Sequence, residues 1–390
     1  MHHVHHTLKE IRIMNKIKVL IVDDSAFMRR AISEMFEEES DIEVIKTARN
    51  GLEAVEFAKE LKPDIITLDI EMPEMDGLTA LRRIMRQSPT NVIMISSLTT
   101  EGSVASLQAL RLGAADVIAK DHSTFSTNIH HIKSQLLELV RALAKNSQRK
   151  KRLGIDKLTS PQKTEKIKSP ASNDSQNEIE NLPLKIPHYS PANIDLICIG
   201  SSTGGPPALE AILTQIPQGF NVPIVIAQHM PRLFTESMAG RLNDICNIPV
   251  NHIENHMTLE PGQIYIAPGA MHTHIRKAGI TKWKCEVNNE PKTAVYKPSV
   301  DALFQSVAET VGKKALGIVL TGIGEDGKNG AIQMHEQGAS IIAQYPDSCV
   351  VYGMPKAVTN AKIIDASLSP ENIGQCIANL GSTTSTKIAI

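Results

Sequence analysis

Residues 197–207 read I-C-I-G-S-S-T-G-G-P-P. An apolar run stops at Gly200, two serines and a threonine follow, and paired glycines and prolines close the stretch. Glycine permits a sharp turn, and proline suits the first turn of a helix. The pattern is a strand that bends abruptly into a helix, the repeating corner of a parallel α/β sheet. Two chemistries use such a corner. Gly200-Ser201-Ser202-Thr203-Gly204 fits G-x-S-x-G, which lifts its central serine into reach. The same free N–H groups attract phosphate. The spacing matches neither G-x-G-x-x-G nor G-x-x-x-x-G-K-[ST], which weakens the phosphate reading.

Around that corner the alternation continues. Strands are expected at 196–199, 224–227, 264–267, 315–320 and 340–344, and helices at 206–215, 233–243, 299–312 and 327–337. A serine hydroxyl needs a positioned base and an orienting acid. His229 in A-Q-H-M-P follows the strand at 224–227, and Asp326 in L-T-G-I-G-E-D-G follows the strand at 315–320. The carboxyl ends of parallel strands share one edge, so Ser202, His229 and Asp326 can meet there. A lone histidine is more often a hydrogen-bonded core residue, and an aspartate between glycines can merely shape a turn. The joint placement of all three favours chemistry. His272 in P-G-A-M-H-T follows a strand and either lies near the site or shapes a turn. His252 and His256 have the spacing of a metal pair but lack a third ligand, so they read as surface residues.

The N-terminal third shows the same architecture. Short apolar runs at 18–22, 43–48, 65–68, 92–95 and 116–119 alternate with helical stretches at 25–38, 51–61, 76–86, 102–112 and 126–144. This predicts a second doubly wound parallel sheet. Asp23 and Asp24 follow the first strand, Asp69 the third; Ser96 ends the fourth and Lys120 the fifth. One aspartate at such a junction is commonly a helix cap. Three converging carboxylates repel one another unless a hard divalent cation neutralises them, and Mg²⁺ fits. A carboxylate there can attack a phosphoryl donor, with Ser96 and Lys120 holding the phosphate oxygens.

Between the two α/β regions, residues 146–191 are rich in Lys, Ser, Asn and Pro, with no aromatic before Tyr189, and read as a flexible linker. R-K-K-R at 149–152 reads as solvated linker charge. The expected organisation is an N-terminal extension (1–15, with Met14 as an alternative start), a first domain (16–145), the linker (146–191) and a second domain (192–390). The 390 residues suffice for such cores, and the net charge of −1 disfavours a polyanion binder. The stretch 192–390 carries 14 Lys/Arg against 16 Asp/Glu, a net of −2, so no nucleic-acid partner is expected. Five dispersed cysteines without a C-x-x-C pair suit a reducing cytoplasm, and neither a signal peptide nor membrane insertion is expected.

V-D-D-S, L-D-I-E-M-P-x-M-D-G, S-S and A-K together resemble the receiver domain of bacterial response regulators, a flavodoxin-like fold. The resemblance implies that Asp69 is the phosphoacceptor, and that Asp23, Asp24 and the backbone of Glu71 join Asp69 around Mg²⁺. This chain departs at Lys120-Asp121, where receivers usually have Lys-Pro with a cis peptide. It departs again at Val117, where an aromatic switch residue usually stands. I-G-S-S-T-G-G, A-Q-H-M-P, I-A-P-G-x-x-H, L-T-G-I-G-E-D-G and S-C-V-V-Y-G-M-P resemble the Rossmann-like catalytic domain of the chemotaxis protein-glutamate methylesterases, the CheB type. That resemblance implies Ser202 as nucleophile, His229 as general base, Asp326 as its orienting partner and Thr203 at the oxyanion site. Ile323 stands where the family often has Met. The implied substrates are glutamyl methyl esters, and glutamine amides, on chemoreceptors. The implied phosphodonor is the chemotaxis histidine kinase, with no cofactor for the esterase step. The other function weighed for the second domain is a nucleotide-binding or DNA-binding output module.

Overall fold

The computed structural model describes residues 16–120, 125–152, 193–279 and 282–380. The expected N-terminal extension, Met14, the peptide after Lys120 and most of the linker lie outside them. The described chain divides after Val92 into two compact units.

The first unit runs β1 (Ile17–Val22), α1 (Ala26–Glu37), β2 (Ile42–Ala48), α2 (Gly51–Leu61), β3 (Ile65–Asp69) and α3 (Gly77–Gln87). β1 pairs in parallel with β2 on one side and β3 on the other. Each helix opens on a side-chain cap: Ser25, Asn50 and Asp76 accept the N–H of Met28, Glu53 and Thr79.

The division falls within β4 (Asn91–Ser97), and the second unit continues with α4 (Thr100–Arg111), β5 (Asp116–Lys120) and α5 (Phe125–Arg152), with β4 and β5 paired in parallel. There follow β6 (Leu196–Ser201), α6 (Gly205–Leu213), β7 (Ile224–Gln228), α7 (Arg232–Ile245), β8 (Val250–His252), β9 (Ile264–Ile266), β10 (His272–Lys277) and β11 (Trp283–Asn288). The chain closes with α8 (Val300–Thr310), β12 (Ala315–Val319), α9 (Lys328–Glu336), β13 (Ser340–Gln344), α10 (Met354–Asn360), β14 (Ala366–Leu368) and α11 (Pro370–Leu380).

Seven of these strands form one parallel sheet in the order β14-β13-β12-β6-β7-β9-β8. Its central strand reads L-I-C-I-G-S, and every residue of it is buried, as a strand covered on both faces requires. Alternation sorts its side chains. Ile197 and Ile199 join one apolar cluster, with Ile224, Ile226, Leu316 and Ile318. Leu196 and Cys198 join the other, with Val225, Ala227, Ala315 and Val319. The chain winds outward from β6 in both directions, which makes β12-β6-β7 the switch point where such sheets place their sites.

Some features depart from the expected organisation. The helix expected at 126–144 runs on to Arg152, so Asn146–Arg152 are helical rather than linker. A-L-A-K-N-S-Q-R-K-K-R holds good helix formers, and no glycine intervenes before Gly154. The helical turn also finds partners: the Asn146 side chain donates to the carbonyls of Val350 and Cys349, and Arg149 pairs with Asp347 at 3.0 Å. Second, α4 and β5 pack into the second unit. Leu107 and Leu110 belong to the apolar cluster beneath the seven-stranded sheet, and Val117 packs against it. The antiparallel hairpin β10-β11 is an addition to the parallel sheets.

Candidate active site

The corner quoted above folds as its glycines require. Ser202 sits one residue beyond β6, and His229 one residue beyond β7. Because Ser201 pairs with Gln228 in the ladder, the two candidates leave the sheet side by side, and the His229 N–H bonds to the Ser201 carbonyl at 3.0 Å. Gln228 fixes the turn from below: its amide donates to the Ser202 carbonyl at 2.9 Å and its oxygen accepts from Ser201 Oγ at 2.6 Å. Gly204 adopts φ +76°, and a Cβ there would lie 2.5 Å from Val350 Cγ2. A side chain is excluded both by strain and by space. α6 then starts with prolines and no side-chain cap.

His229 and Asp326 meet directly. Nε2 lies 2.8 Å from Asp326 Oδ2, with only 7% and 10% of the two side chains exposed. Asp326 sits at the N-terminus of α8, where its Oδ1 accepts from Ser299 Oγ, Asp301 N–H and Gly327 N–H at 3.0–3.1 Å. Its Oδ2 accepts from Val300 N–H at 2.7 Å. Burial pushes this carboxyl up, but the His229 bond and the α8 amides outweigh it and hold it below the usual carboxylate range. A carboxylate with five donors is fixed in place and in charge.

Ser202 Oγ makes no hydrogen bond to either ring nitrogen. Nε2 serves Asp326, and Nδ1 is buried without a partner. The Ser202 N–H is spent on the Thr321 carbonyl at 3.0 Å. Thr203 is buried, and its carbonyl accepts from Thr321 Oγ1. Its hydroxyl donates to Asp116 Oδ2 from β5. Asp116 was missed from sequence because a lone acid opening a strand carries no motif. Burial pushes its carboxyl up to about 6, with the bonds from Thr203 and Val117 opposing. Tyr296 was missed as well; its ring stacks on the His229 imidazole at 4.4 Å between centroids.

The remaining expected residues fall as follows. Ile323 lies half-buried in the 320–327 loop, just after Gly322, where a Cβ would meet Ser202 Cβ at 2.7 Å. His272 opens β10 fully buried, and its Nδ1 accepts the Ser299 N–H at 3.1 Å. It therefore supports the cap that grips Asp326. His252 bonds Thr235, and His256 is an exposed residue with φ +66°. No helix places the two on one face, so their spacing means nothing for metal binding. In the first unit Asp23, Asp24 and Asp69 bring carboxylate oxygens within 4.8 Å of one another. This all-oxygen set suits a hard divalent cation such as Mg²⁺. Glu71 follows two residues after Asp69. In the second unit Ser96 and Lys120 are buried near the ends of β4 and β5, in register one residue apart.

Comparison with known proteins adds two family matches: the response regulator receiver domain over residues 19–128, and the CheB methylesterase over residues 197–377. A protein-glutamate methylesterase/protein-glutamine glutaminase of Oleidesulfovibrio alaskensis is 42% identical over 366 residues, covering 93% of this chain and 99% of that protein. This chain belongs to the CheB methylesterase family. A relative of the same name from Lawsonia intracellularis is 40% identical over 368 residues, covering 93% of this chain and 98% of that protein. Among solved structures, the Thermotoga maritima CheB methylesterase catalytic domain is 36% identical with a TM-score of 0.46, over 48% of this chain and 98% of its own. The response regulator domain of the Thermotoga maritima CheB is 50% identical with a TM-score of 0.31, over 33% of this chain and 95% of its own. CheB membership makes the second domain a hydrolase, in place of a nucleotide- or DNA-binding output module. Among the described residues no helix is long and apolar enough to cross a membrane.

Proposed function

We propose that this CheB-family chain hydrolyses glutamyl γ-methyl esters on chemoreceptors, and deamidates receptor glutamines, in the cytoplasm. The observation that carries the reading is the buried His229–Asp326 pair standing beside Ser202 at the sheet's switch point. The relatives' printed names supply the substrate class.

Asp326 holds the imidazole by Nε2 and leaves Nδ1 to act as base. Ser202 Oγ turns toward Nδ1, gives up its proton and attacks the ester carbonyl. The N–H groups of Thr203 and Gly204, at the uncapped start of α6, receive the oxyanion; each such donor is worth about 3 kcal/mol. The imidazolium gives its proton to the ester's methoxy oxygen, which leaves as methanol, or to an amide nitrogen, which leaves as ammonia. Water, deprotonated by His229, then splits the acyl-serine and restores the hydroxyl with a free glutamate.

Asp69 takes the phosphoryl group from the chemotaxis histidine kinase. Asp23, Asp24, Asp69 and the Glu71 backbone would hold Mg²⁺, which when bound offsets their mutual repulsion and draws in the anionic donor. Control of the esterase runs through β5: Asp116 ties up Thr203, and Val117 packs on the apolar cluster under the corner. Phosphorylation shifts the population away from this closed contact.

The test is methanol release from methylated receptor membranes by the full chain, with and without a small-molecule phosphodonor and Mg²⁺. Stimulation that disappears in Asp69→Asn is expected. Equal stimulation of both proteins would defeat the proposed control.

A further inference from the structure

The segment Tyr296–Asp301 touches both members of the His229–Asp326 pair from one short run of chain. At one end the Tyr296 ring lies flat on the imidazole, with centroids 4.4 Å apart and planes 9° from parallel. At the other end Ser299 Oγ and the N–H groups of Val300 and Asp301 grip the Asp326 carboxylate. The run is itself anchored. Ala270 N–H donates to the Lys297 carbonyl at 3.3 Å, and Ser299 N–H donates to His272 Nδ1.

The geometry points to Tyr296 as a positioning residue for the general base, holding the plane of the His229 ring and with it the direction of Nδ1, the nitrogen that takes the Ser202 proton. This rests on the esterase reading above. Asp326 fixes one ring nitrogen but leaves the ring free to swing about that bond, because a single hydrogen bond does not define a plane. Nδ1 is buried with no partner of its own. A flat aromatic face supplies the missing constraint, since stacked rings resist rotation out of contact. Gly324, with φ +75°, lies beside the phenol, where a Cβ would make ordinary contact at 3.4 Å from the Tyr296 hydroxyl. Burial, with the charges of Glu138 and Asp326 adding, pushes that hydroxyl up, so the ring works as a neutral phenol.

The test compares the full chain with Tyr296→Phe, Tyr296→Leu and Tyr296→Ala, using methanol release from methylated receptor membranes and the NMR resonances of the His229 ring. Leucine fills the volume without a flat face, which keeps the test valid if alanine impairs folding. The expected result is a kcat lower by about tenfold in the Leu and Ala variants, the size of a strong aromatic pair. KM stays within about twofold, and Phe restores most of the rate. The upfield ring-current shift of the His229 protons persists in Phe and vanishes in Leu and Ala. Leu at the wild-type kcat, or Phe as slow as Leu, overturns the proposal. A wild-type chain that releases no methanol defeats the esterase reading instead. The His229 resonances then decide by themselves: a shift lost in Leu supports positioning, and an unchanged shift overturns it.

Discussion

Replacing Asp326 with Asn tests the charge pair with almost no change of shape. Oδ1 now accepts from Ser299 Oγ, Asp301 N–H and Gly327 N–H, and Oδ2 from Val300 N–H and His229 Nε2. An amide has one acceptor and one donor end, and its better orientation keeps the oxygen toward the three donors. Its NH₂ then faces Val300 N–H, which loses its acceptor, and His229 Nε2, which must become an acceptor. The ring answers by moving its proton to Nδ1, the nitrogen needed as base. One orphaned buried donor costs about 1–3 kcal/mol. For a domain of this size that lowers the melting temperature by roughly 2–12 °C. The wrong tautomer should cost kcat about 10⁴-fold, as it does in serine-protease triads. Methanol release and thermal melting of the same preparation measure both effects. A variant that keeps a tenth or more of the wild-type kcat refutes the orienting role of Asp326.

Three further outcomes follow from the geometry. The Asp116 carboxyl is pushed up from 3.8 to about 6 in contact with Thr203, so the closed contact is strongest below about pH 4 and is lost as pH rises through about 6. Unphosphorylated wild type should therefore gain activity relative to Asp116→Asn between about pH 5 and 7, and a flat ratio of the two rates would exclude the latch. Gly204→Ala puts a side chain at φ +76° and against Val350, a strain of about 1–3 kcal/mol; melting should drop by several degrees and kcat should fall, whereas wild-type values would show that the corner tolerates a Cβ. Chelating divalent metal should abolish phosphodonor stimulation while leaving the unstimulated esterase rate intact, and loss of both rates would place a metal in the esterase chemistry.

The sequence carried the alternating architecture and the main candidates because apolar runs ending in Gly-Ser or Asp-Asp mark strand ends without reference to distant residues. Ser202, His229 and Asp326 were visible for that reason, each being one corner residue in chain order. β10 was not: H-T-H-I-R-K alternates weakly and pairs antiparallel with a strand that only the fold brings alongside. α5 was cut short at 144 because its tail reads by composition as linker, yet Asn146 and Arg149 find partners some 200 residues away. Asp116 and Tyr296 escaped for the same cause. Their significance lies in contacts with Thr203 and His229, and no local pattern encodes such contacts.

The claim that everything else depends on is attack by one hydroxyl, and replacing that hydroxyl with hydrogen examines it. Ser202→Ala should melt close to wild type and release no methanol from methylated chemoreceptors, with or without phosphodonor. Methanol appearing at the wild-type rate from a folded Ser202→Ala protein would contradict the account.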